Sequence, residues 1–194
     1  MKKMIILMLC AMLASGVLSN SLSAMDAKAI EGEELFTRTN LKAQGSKVFF
    51  QNMSKLKGFI PVGTAVGITK VGKQYIKFKV LDTGKQYKLE ALSDFYDRYF
   101  VKNIDDVGLQ NINEKTMQYV NNMQVEPGMT KEEVYISRGC PAFIGWGIKS
   151  WFATLDEIMS SNTWYYNAGT SKIEMLVIFE NGVVKEATSK IKKP

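Results

Sequence analysis

The 194-residue sequence contains no histidine, and this absence removes the side chain on which many active sites depend. Histidine is the usual general base, a common metal ligand and the usual partner of a serine or cysteine nucleophile. The segments GKQYIK and GKQYKL contain a glycine and a lysine, but they lack the upstream glycine spacing of a phosphate-binding loop. We therefore expect no catalytic residue, no bound cofactor and no metal ion. A Ser–Lys hydrolase stays open as an alternative that no spacing supports.

Cysteine is also scarce, since Cys10 and Cys140 are the two in the chain. Cys10 lies in an N-terminal segment where two lysines precede an apolar run and small residues follow it, the pattern of an export signal. We predict a signal peptide over residues 1–24, because the apolar run is shorter than the ~20 residues that span a bilayer. Leu9 stands where a lipobox has a small residue, so lipidation of Cys10 is not expected. The mature protein is predicted to be periplasmic, secreted or peripheral to the outer membrane.

The predicted mature chain retains one cysteine, Cys140, and so cannot form an internal disulfide. Its stability must then come from a packed core, even in an oxidising compartment. A nucleophilic Cys140 would need an activating neighbour, and the sequence offers none.

Acidic residues are fewer than basic ones, 19 against 25. Without the two leader lysines the counts are 23 basic and 19 acidic, an excess of four positive charges. The lysines are spread along the sequence rather than gathered in a stripe. The charge therefore predicts a weak contact with anionic lipid headgroups and no nucleic-acid binding.

Residues 35–100 are predicted to form a small β-rich module with a trailing helix. In QYIKFKV, polar and apolar residues alternate as in a strand with one buried face, and Gly84 fits the turn of the hairpin that follows. Pro61, Gly63 and Gly67 predict a turn and then a weak or bulged strand. Four or five short strands joined in this way favour a partly open, SH3-like barrel. Such a module either binds a peptide or glycan or has a structural role.

The trailing helix is predicted to begin with Ser93 as its N-cap. Phe95, Tyr96, Tyr99 and Phe100 then recur three to four residues apart, on one side of a helix. Such an aromatic stripe can be a ligand platform, but we interpret it as packing against the core or a neighbouring module.

The stretch VEPGMTKEEVYISRGCP combines the end of one short helix with the start and end of the next. Thr130 and Glu133 have the spacing of a capping box. Gly139 is placed to supply a left-handed cap, and Pro141 blocks extension two residues later. The stretch is therefore predicted to frame a helix and not to be a catalytic centre.

Residues 142–162 are rich in glycine and aromatic side chains and are predicted to be a variable loop with one short helix from Leu155. Three strands follow, and Asn181-Gly182 is the hairpin signal between the last two. Residues 113–190 are therefore predicted to form a module of two short helices packed on one face of a three-stranded antiparallel sheet. The fold class of the whole chain is α+β.

The segments GMTKEEV, GCP, NTWYY and MLVIFENGVVKEA together resemble the SmpA/OmlA (BamE-like) family of outer-membrane assembly lipoproteins. The positions that carry this resemblance are Gly128, Met129, Thr130, Val134, Gly139, Pro141, Trp164, Tyr165, Phe179 and Gly182. The resemblance covers residues 113–190 and implies an α-α-β-β-β fold, similar also to that of β-lactamase-inhibitor proteins, with protein binding as the shared theme. Within this motif, Trp164 and Tyr165 are expected to serve the core.

Together these patterns predict an exported, non-enzymatic scaffold or adaptor that binds protein at the cell envelope. The resemblance implies an accessory role in outer-membrane protein assembly or envelope integrity, with β-barrel assembly subunits as partners. The predicted contact surface is the edge of the second sheet with four loop aromatics, Phe143, Trp146, Trp151 and Phe152; the loop folding back onto the first module is the other interpretation. A peptidoglycan- or peptide-binding module and a secreted enzyme inhibitor are the alternative functions.

Overall fold

The computed structural model describes residues 27–145, 147–168 and 172–189. The predicted signal peptide, Cys10 and Trp146 lie outside these ranges. The described chain is mixed α+β, as predicted, with a curled eight-stranded sheet, a five-stranded sheet and a few helices. No helix within the described ranges is long and apolar enough to cross a membrane.

The eight-stranded sheet takes all its strands from the N-terminal half of the chain. They are β1 (Glu34–Thr37), β2 (Leu41–Gln44), β3 (Lys47–Phe49), β4 (Gly58–Ile60), β5 (Ala65–Gly72), β6 (Tyr75–Val80), β7 (Gln86–Glu90) and β8 (Phe100–Val101). Their order across the sheet is β4-β2-β3-β7-β6-β5-β1-β8, and each neighbouring pair is antiparallel except β3 with β7, which is parallel. The described sheet is thus larger than the four or five strands expected, because five short runs of two to four residues, β1 to β4 and β8, also pair into it.

The central strands follow the predicted alternation. Ile76 and Phe78 in β6 are fully buried, whereas Lys77 between them is exposed. The β6–β7 hairpin turns at Gly84, whose φ of +69° is the positive value that this turn requires. The predicted bulge is present in β5, where the register with β6 shifts between Ile68 and Lys70.

The aromatic segment after β7 is shorter and less regular than the predicted helix. It is a 3-10 helix, Ser93–Arg98, and Ser93 lies inside it without capping it, so the predicted N-cap was wrong. Tyr96, Tyr99 and Phe100 are buried in the core. This confirms core packing as the role of the stripe. The chain then enters β8 and two further 3-10 helices, Ile104–Val107 and Leu109–Asn111.

The C-terminal half contains the predicted pair of helices and, as also predicted, a short helix that begins at Leu155. They are α1 (Glu114–Asn121), α2 (Lys131–Arg138) and α3 (Leu155–Ser160). The capping box of α2 is confirmed: the Thr130 hydroxyl accepts from the Glu133 N–H, and a Glu133 carboxylate oxygen accepts from the Thr130 N–H at 2.7 Å. Gly139 has the expected positive φ of +71°, but its ψ of −161° differs from the predicted left-handed cap and lets the chain leave α2 extended.

The second sheet has five strands, two more than predicted. They are β9 (Phe143–Ile144), β10 (Ile148–Lys149), β11 (Thr163–Asn167), β12 (Ile173–Glu180) and β13 (Val183–Ser189), in the order β10-β9-β11-β12-β13. The predicted variable loop was wrong over β9 and β10. Its glycines, Gly145 (φ +54°) and Gly147 (φ +93°), form the tight turn of a hairpin.

The hairpin predicted at Asn181-Gly182 is confirmed, since both residues have positive φ, +52° and +81°, as a two-residue turn of this type requires. In β11, Trp164 is fully buried, as expected. Tyr165 faces the other side and is partly exposed, and Tyr166 takes the core position instead. The expected core role of Tyr165 was therefore wrong, because side chains alternate along a strand.

The two sheets share one hydrophobic core, which includes Phe78 from the first sheet and Trp164 and Val177 from the second. Three buried polar residues, Thr39, Asn40 and Asn52, add a hydrogen-bonded contact that we call the polar joint. They lie in loops of the first sheet and donate to main-chain oxygens of the helical region, at 2.7 Å from Thr39 to Tyr135, 2.7 Å from Asn40 to Val120 and 2.9 Å from Asn52 to Arg138. The first sheet is thereby fixed against α1 and α2.

Candidate functional site

The structure separates three of the four aromatic residues predicted to form one contact surface. Trp151 packs edge-on against Phe50 of the first half, with ring centroids 4.9 Å apart and planes at 89°. Phe143 lies in β9 and is partly buried. Phe152 is 69% exposed, and Trp146 lies outside the described residues. Trp151 thus packs back onto the first half, and among the three described aromatics Phe152 is the one that stays largely exposed.

Phe152 has an exposed apolar neighbour that sequence reasoning missed. Ile148, in β10, is 63% exposed, and the two side chains border the same cavity of about 340 Å³. Its other apolar lining comes from Ile144 and Ala153. We call this surface the hairpin patch: Ile144, Ile148, Phe152 and Ala153. An isolated isoleucine in a glycine-rich segment gave no signal in the sequence, because only the fold of the hairpin brings it beside Phe152.

The rim of the hairpin patch is polar. Besides Gly145, the rest of the cavity lining comes from Lys149, Glu157, Ser160 and Ser161. The carboxylate of Glu157 is already engaged, since it accepts from the N–H of Thr154 at 2.7 Å in the capping box of α3. The patch is therefore an apolar depression with one lysine and two serine hydroxyls at its edge.

The base of the hairpin patch is held by hydrogen bonds from both halves of the chain. The Gly145 N–H donates to the Thr163 carbonyl at 2.9 Å, which fixes the turn after β9 to the start of β11. From the first half, Arg98 Nη1 donates to the carbonyls of Ser150 and Ala153 at 2.6 and 3.0 Å. Phe152 lies between those two carbonyls in sequence, so its exposed ring stands on an anchored backbone.

The patch also adjoins an open sheet edge. β10 is the terminal strand of the five-stranded sheet, and its outer side has no partner strand in the part of the chain that the structure describes. Edge strands present main-chain groups to which another chain can pair. Ile148 belongs both to this edge and to the cavity lining.

The interior between the two sheets contains a cluster of buried ionisable groups: Arg98, Tyr99, Tyr135 and Cys140. Burial raises the pKa of the Cys140 thiol to about 11, although the Arg98 guanidinium opposes this rise. Burial also raises the pKa of Tyr99 and of Tyr135 well above 10. A reactive cysteine needs a lowered pKa and access to solvent, and Cys140, 1% exposed, has neither.

A second cavity, of about 410 Å³, lies beside α2. Its lining includes Arg38, Asp106, Glu132, Glu133 and Tyr135. Its one arginine is partly engaged, because Arg38 Nε donates to the carbonyl of Asp97 at 2.6 Å. Among the described residues no group of three or more histidine, cysteine, aspartate or glutamate side chains is placed to hold a metal ion.

Several residues that carry the family resemblance are buried in the interior of the protein. Met129, Val134 and Phe179 are buried, and the Phe179 ring lies edge-on to Trp164 with centroids 4.6 Å apart. Pro141 is buried as the chain passes from α2 towards β9. These residues build the second half and do not line the hairpin patch.

Comparison of the chain with protein-family models, with curated proteins and with solved structures found no match. Membership of the SmpA/OmlA family therefore stays a prediction.

Proposed function

We propose that this protein is a non-enzymatic, exported adaptor of the cell envelope that binds a partner protein through the hairpin patch. The observation that carries the proposal is the pairing of two large apolar side chains, Ile148 and Phe152, each more than 60% exposed beside one cavity. Exposed apolar side chains that stand singly are ordinary on protein surfaces, but adjacent ones around a depression mark contact sites. Aromatic side chains are favoured anchors in such contacts.

The partner that fits this surface is an extended protein segment with an apolar side chain. Its main chain would pair with the outer side of β10, as in recognition by strand addition. Its apolar side chain would enter the cavity between Ile148 and Phe152. Segments with alternating apolar residues are typical of outer-membrane β-barrel strands, so an accessory role in outer-membrane assembly or envelope integrity is the most specific form of the proposal.

The finer description of the fold is part of the same proposal. The succession of α1, α2, β11, β12 and β13 supports the α-α-β-β-β arrangement of the SmpA/OmlA family, to which the β9–β10 hairpin and α3, inserted between α2 and β11, are additions. For the first half, the curled sheet supports a barrel-like module of the SH3 type.

The test is site-specific photocrosslinking in cells. A photoreactive phenylalanine analogue replaces Phe152 at the patch or, as the control, Ile104, an apolar residue 39% exposed outside the patch. The expected result is an adduct with an identified outer-membrane or β-barrel assembly protein at position 152 and none at position 104.

A second variant ties the adduct to the patch. Ile148→Ser, combined with the probe at position 152, should reduce the adduct severalfold, whereas Ile104→Ser should not, because only Ile148 lines the cavity. Thermal melts of both variants check that the fold is intact. Equal adducts at both probe positions, or adducts with cytoplasmic proteins alone, would refute the adaptor function.

A further inference from the structure

The outer face of the eight-stranded sheet contains a row of lysines that the sequence did not reveal. Four of them occupy paired positions on four adjacent strands: Lys70 pairs with Lys77, Lys77 with Lys88, and Lys88 with Lys47. We call these four residues the lysine row. Adjacent strands are 4.7–4.9 Å apart, so the row spans about 14 Å. The expectation that the lysines are not gathered in a stripe was therefore wrong for this face, because strand register brings together residues far apart in sequence.

All four side chains point away from the core. The residues on either side of Lys77 in β6, Ile76 and Phe78, are fully buried, and those on either side of Lys88 in β7 are buried as well. Since side chains alternate along a strand, the lysines face outward. Lys79 in β6 and Lys42 in β2 lie on the same outer face.

The outer face is only slightly neutralised by acidic residues. Across the strands of the sheet it presents six lysines and two glutamates, Glu90 in β7 and Glu34 in β1, an excess of four positive charges. Glu90 lies 3.5 Å from Lys47 and 3.6 Å from Lys88. Within the described residues, Lys70, Lys77 and Lys79 are in no ion pair.

The folding of the sheet does not account for this arrangement. Like charges directly opposite each other on neighbouring strands are destabilising, and here three successive strand pairs place lysine against lysine. A neutral polar residue at Lys70 or Lys77 would fit the exposed face without that repulsion. The row therefore points to an anionic partner that the isolated chain lacks.

The use of lysine instead of arginine indicates the kind of anion that the outer face can bind. Arginine recognises an individual phosphate or carboxylate through two parallel hydrogen bonds, whereas lysine acts as a point charge. The three arginines of the chain, Arg38, Arg98 and Arg138, all donate hydrogen bonds to main-chain carbonyls within the protein. Because the cations of the outer face are all lysines, this face is suited to a diffuse anionic surface rather than to a single phosphate or carboxylate group.

We propose that the outer face of the first sheet docks on an anionic phospholipid membrane through the lysine row, Lys42 and Lys79. Clusters of four to eight lysines near a surface are attracted to acidic headgroups with additive strength. Phe59, paired with Lys42 at the end of the sheet, is 41% exposed on the same face and can enter the interfacial region. This inference does not depend on the hairpin patch, which lies on the other sheet.

The test is flotation of the purified full chain with vesicles of phosphatidylcholine alone or with 30% phosphatidylglycerol, in low and in raised salt. The variant Lys70→Gln/Lys77→Gln/Lys79→Gln removes three lysines that have no ion pair among the described residues. The control, Lys102→Gln/Lys115→Gln/Lys185→Gln, removes the same charge from exposed sites off this face. Residues 1–26 are common to both variants and cannot cause a difference between them.

Binding to the anionic vesicles should weaken as salt is raised, because exposed charges are screened. The row variant should lose affinity on the order of a hundredfold, from the attraction of each surface lysine to acidic headgroups, and the control should lose much less. Equal binding to neutral and anionic vesicles, or equal losses in the two variants, would overturn the proposal. Tight binding of soluble polyphosphate without binding to vesicles would overturn the assignment to a membrane.

Discussion

Gly139→Ala should destabilise the protein far more than the loss of a glycine at a surface turn. Gly139 has φ +71° and ψ −161°, a region that is essentially reserved for glycine and costs other residues about 1–3 kcal/mol. An alanine Cβ at this position would also lie 2.8 Å from Asn52 Nδ2 and 3.2 Å from Thr39 Oγ1. The first of these contacts is shorter than a Cβ tolerates, so the polar joint has to move.

The magnitude follows from what the polar joint would lose. Asn52 Nδ2 donates to the carbonyls of Asn40 and Arg138 at 2.6 and 2.9 Å, and Thr39 Oγ1 donates to Tyr135 at 2.7 Å. Each such bond contributes about 0.5–1.5 kcal/mol, and more where a buried partner is left unpaired. Together with the cost of placing alanine in this backbone conformation, the free energy of unfolding should fall by about 2–5 kcal/mol.

Urea unfolding followed by tryptophan fluorescence gives the comparison. Gly128→Ala is the matched control, because Gly128 also has a positive φ, +91°, but has no atom within 4 Å of the added Cβ. Its loss should be confined to the cost of placing alanine in such a backbone conformation, about 1 kcal/mol or somewhat more. In a double-mutant cycle, Asn52→Ala should make Gly139→Ala less harmful, because the clashing amide is gone. Equal losses for the two glycines, or strict additivity with Asn52→Ala, would refute this reasoning.

Three further predictions test the interior and the base of the hairpin patch. Burial raises the pKa of Cys140 from 9.0 to about 11, so the unfolded thiol loses its proton first as the pH rises. The contribution of the protonated, buried Cys140 thiol to the free energy of unfolding is therefore fully present below pH 9 and is lost as the pH rises towards 11. Cys140→Ala should flatten the dependence of unfolding free energy on pH in that window, and an unchanged slope would contradict the assignment. Trp151→Ala should lower the unfolding free energy by about 1–3 kcal/mol, because the packing of a half-buried ring is lost. Phe152→Ala is a surface substitution and should change the unfolding free energy by less than about 0.5 kcal/mol. If chemical denaturation gave the larger loss for Phe152→Ala, the placement of the two rings would be contradicted. Arg98→Met should speed amide hydrogen exchange between residues 150 and 153 more than in β12, since the carbonyls of Ser150 and Ala153 both lose their hydrogen bond from Arg98. Uniform acceleration would show that Arg98 has no local role.

The features that the sequence predicted correctly are those set within a few residues. The Thr130–Glu133 capping box is a reciprocal pair of hydrogen bonds between neighbours in sequence, and the Asn181-Gly182 turn depends on two residues that accept positive φ. In β6, the alternation of polar and apolar residues likewise predicts which side chains are buried. Each signal is local and needs no knowledge of what packs against it.

The features that were missed depend on register between distant segments. Tyr165 and Tyr166 are adjacent in a strand, and a shift of one residue exchanges the buried side chain for the exposed one. Gly145 and Gly147 predict a break in regular structure, but whether that break is a loop or a hairpin turn depends on pairing with β11. The lysine row is the clearest case, since Lys47 and Lys70 become part of one row only after four strands have paired.

The buried Arg98 connects the stability of the fold with the proposed contact surface. Burying a guanidinium is costly when no carboxylate compensates it, and no carboxylate pairs with Arg98 among the described residues. The Phe95 ring 4.7 Å from its central carbon and the carbonyls of Ser150 and Ala153 offset part of that cost. An apolar side chain would fill the same space at lower cost, but it would remove the donor to the Ala153 carbonyl and leave the Ser150 carbonyl with the Ala153 N–H alone. The arginine is therefore best explained by the backbone it positions, which is the segment that presents Phe152.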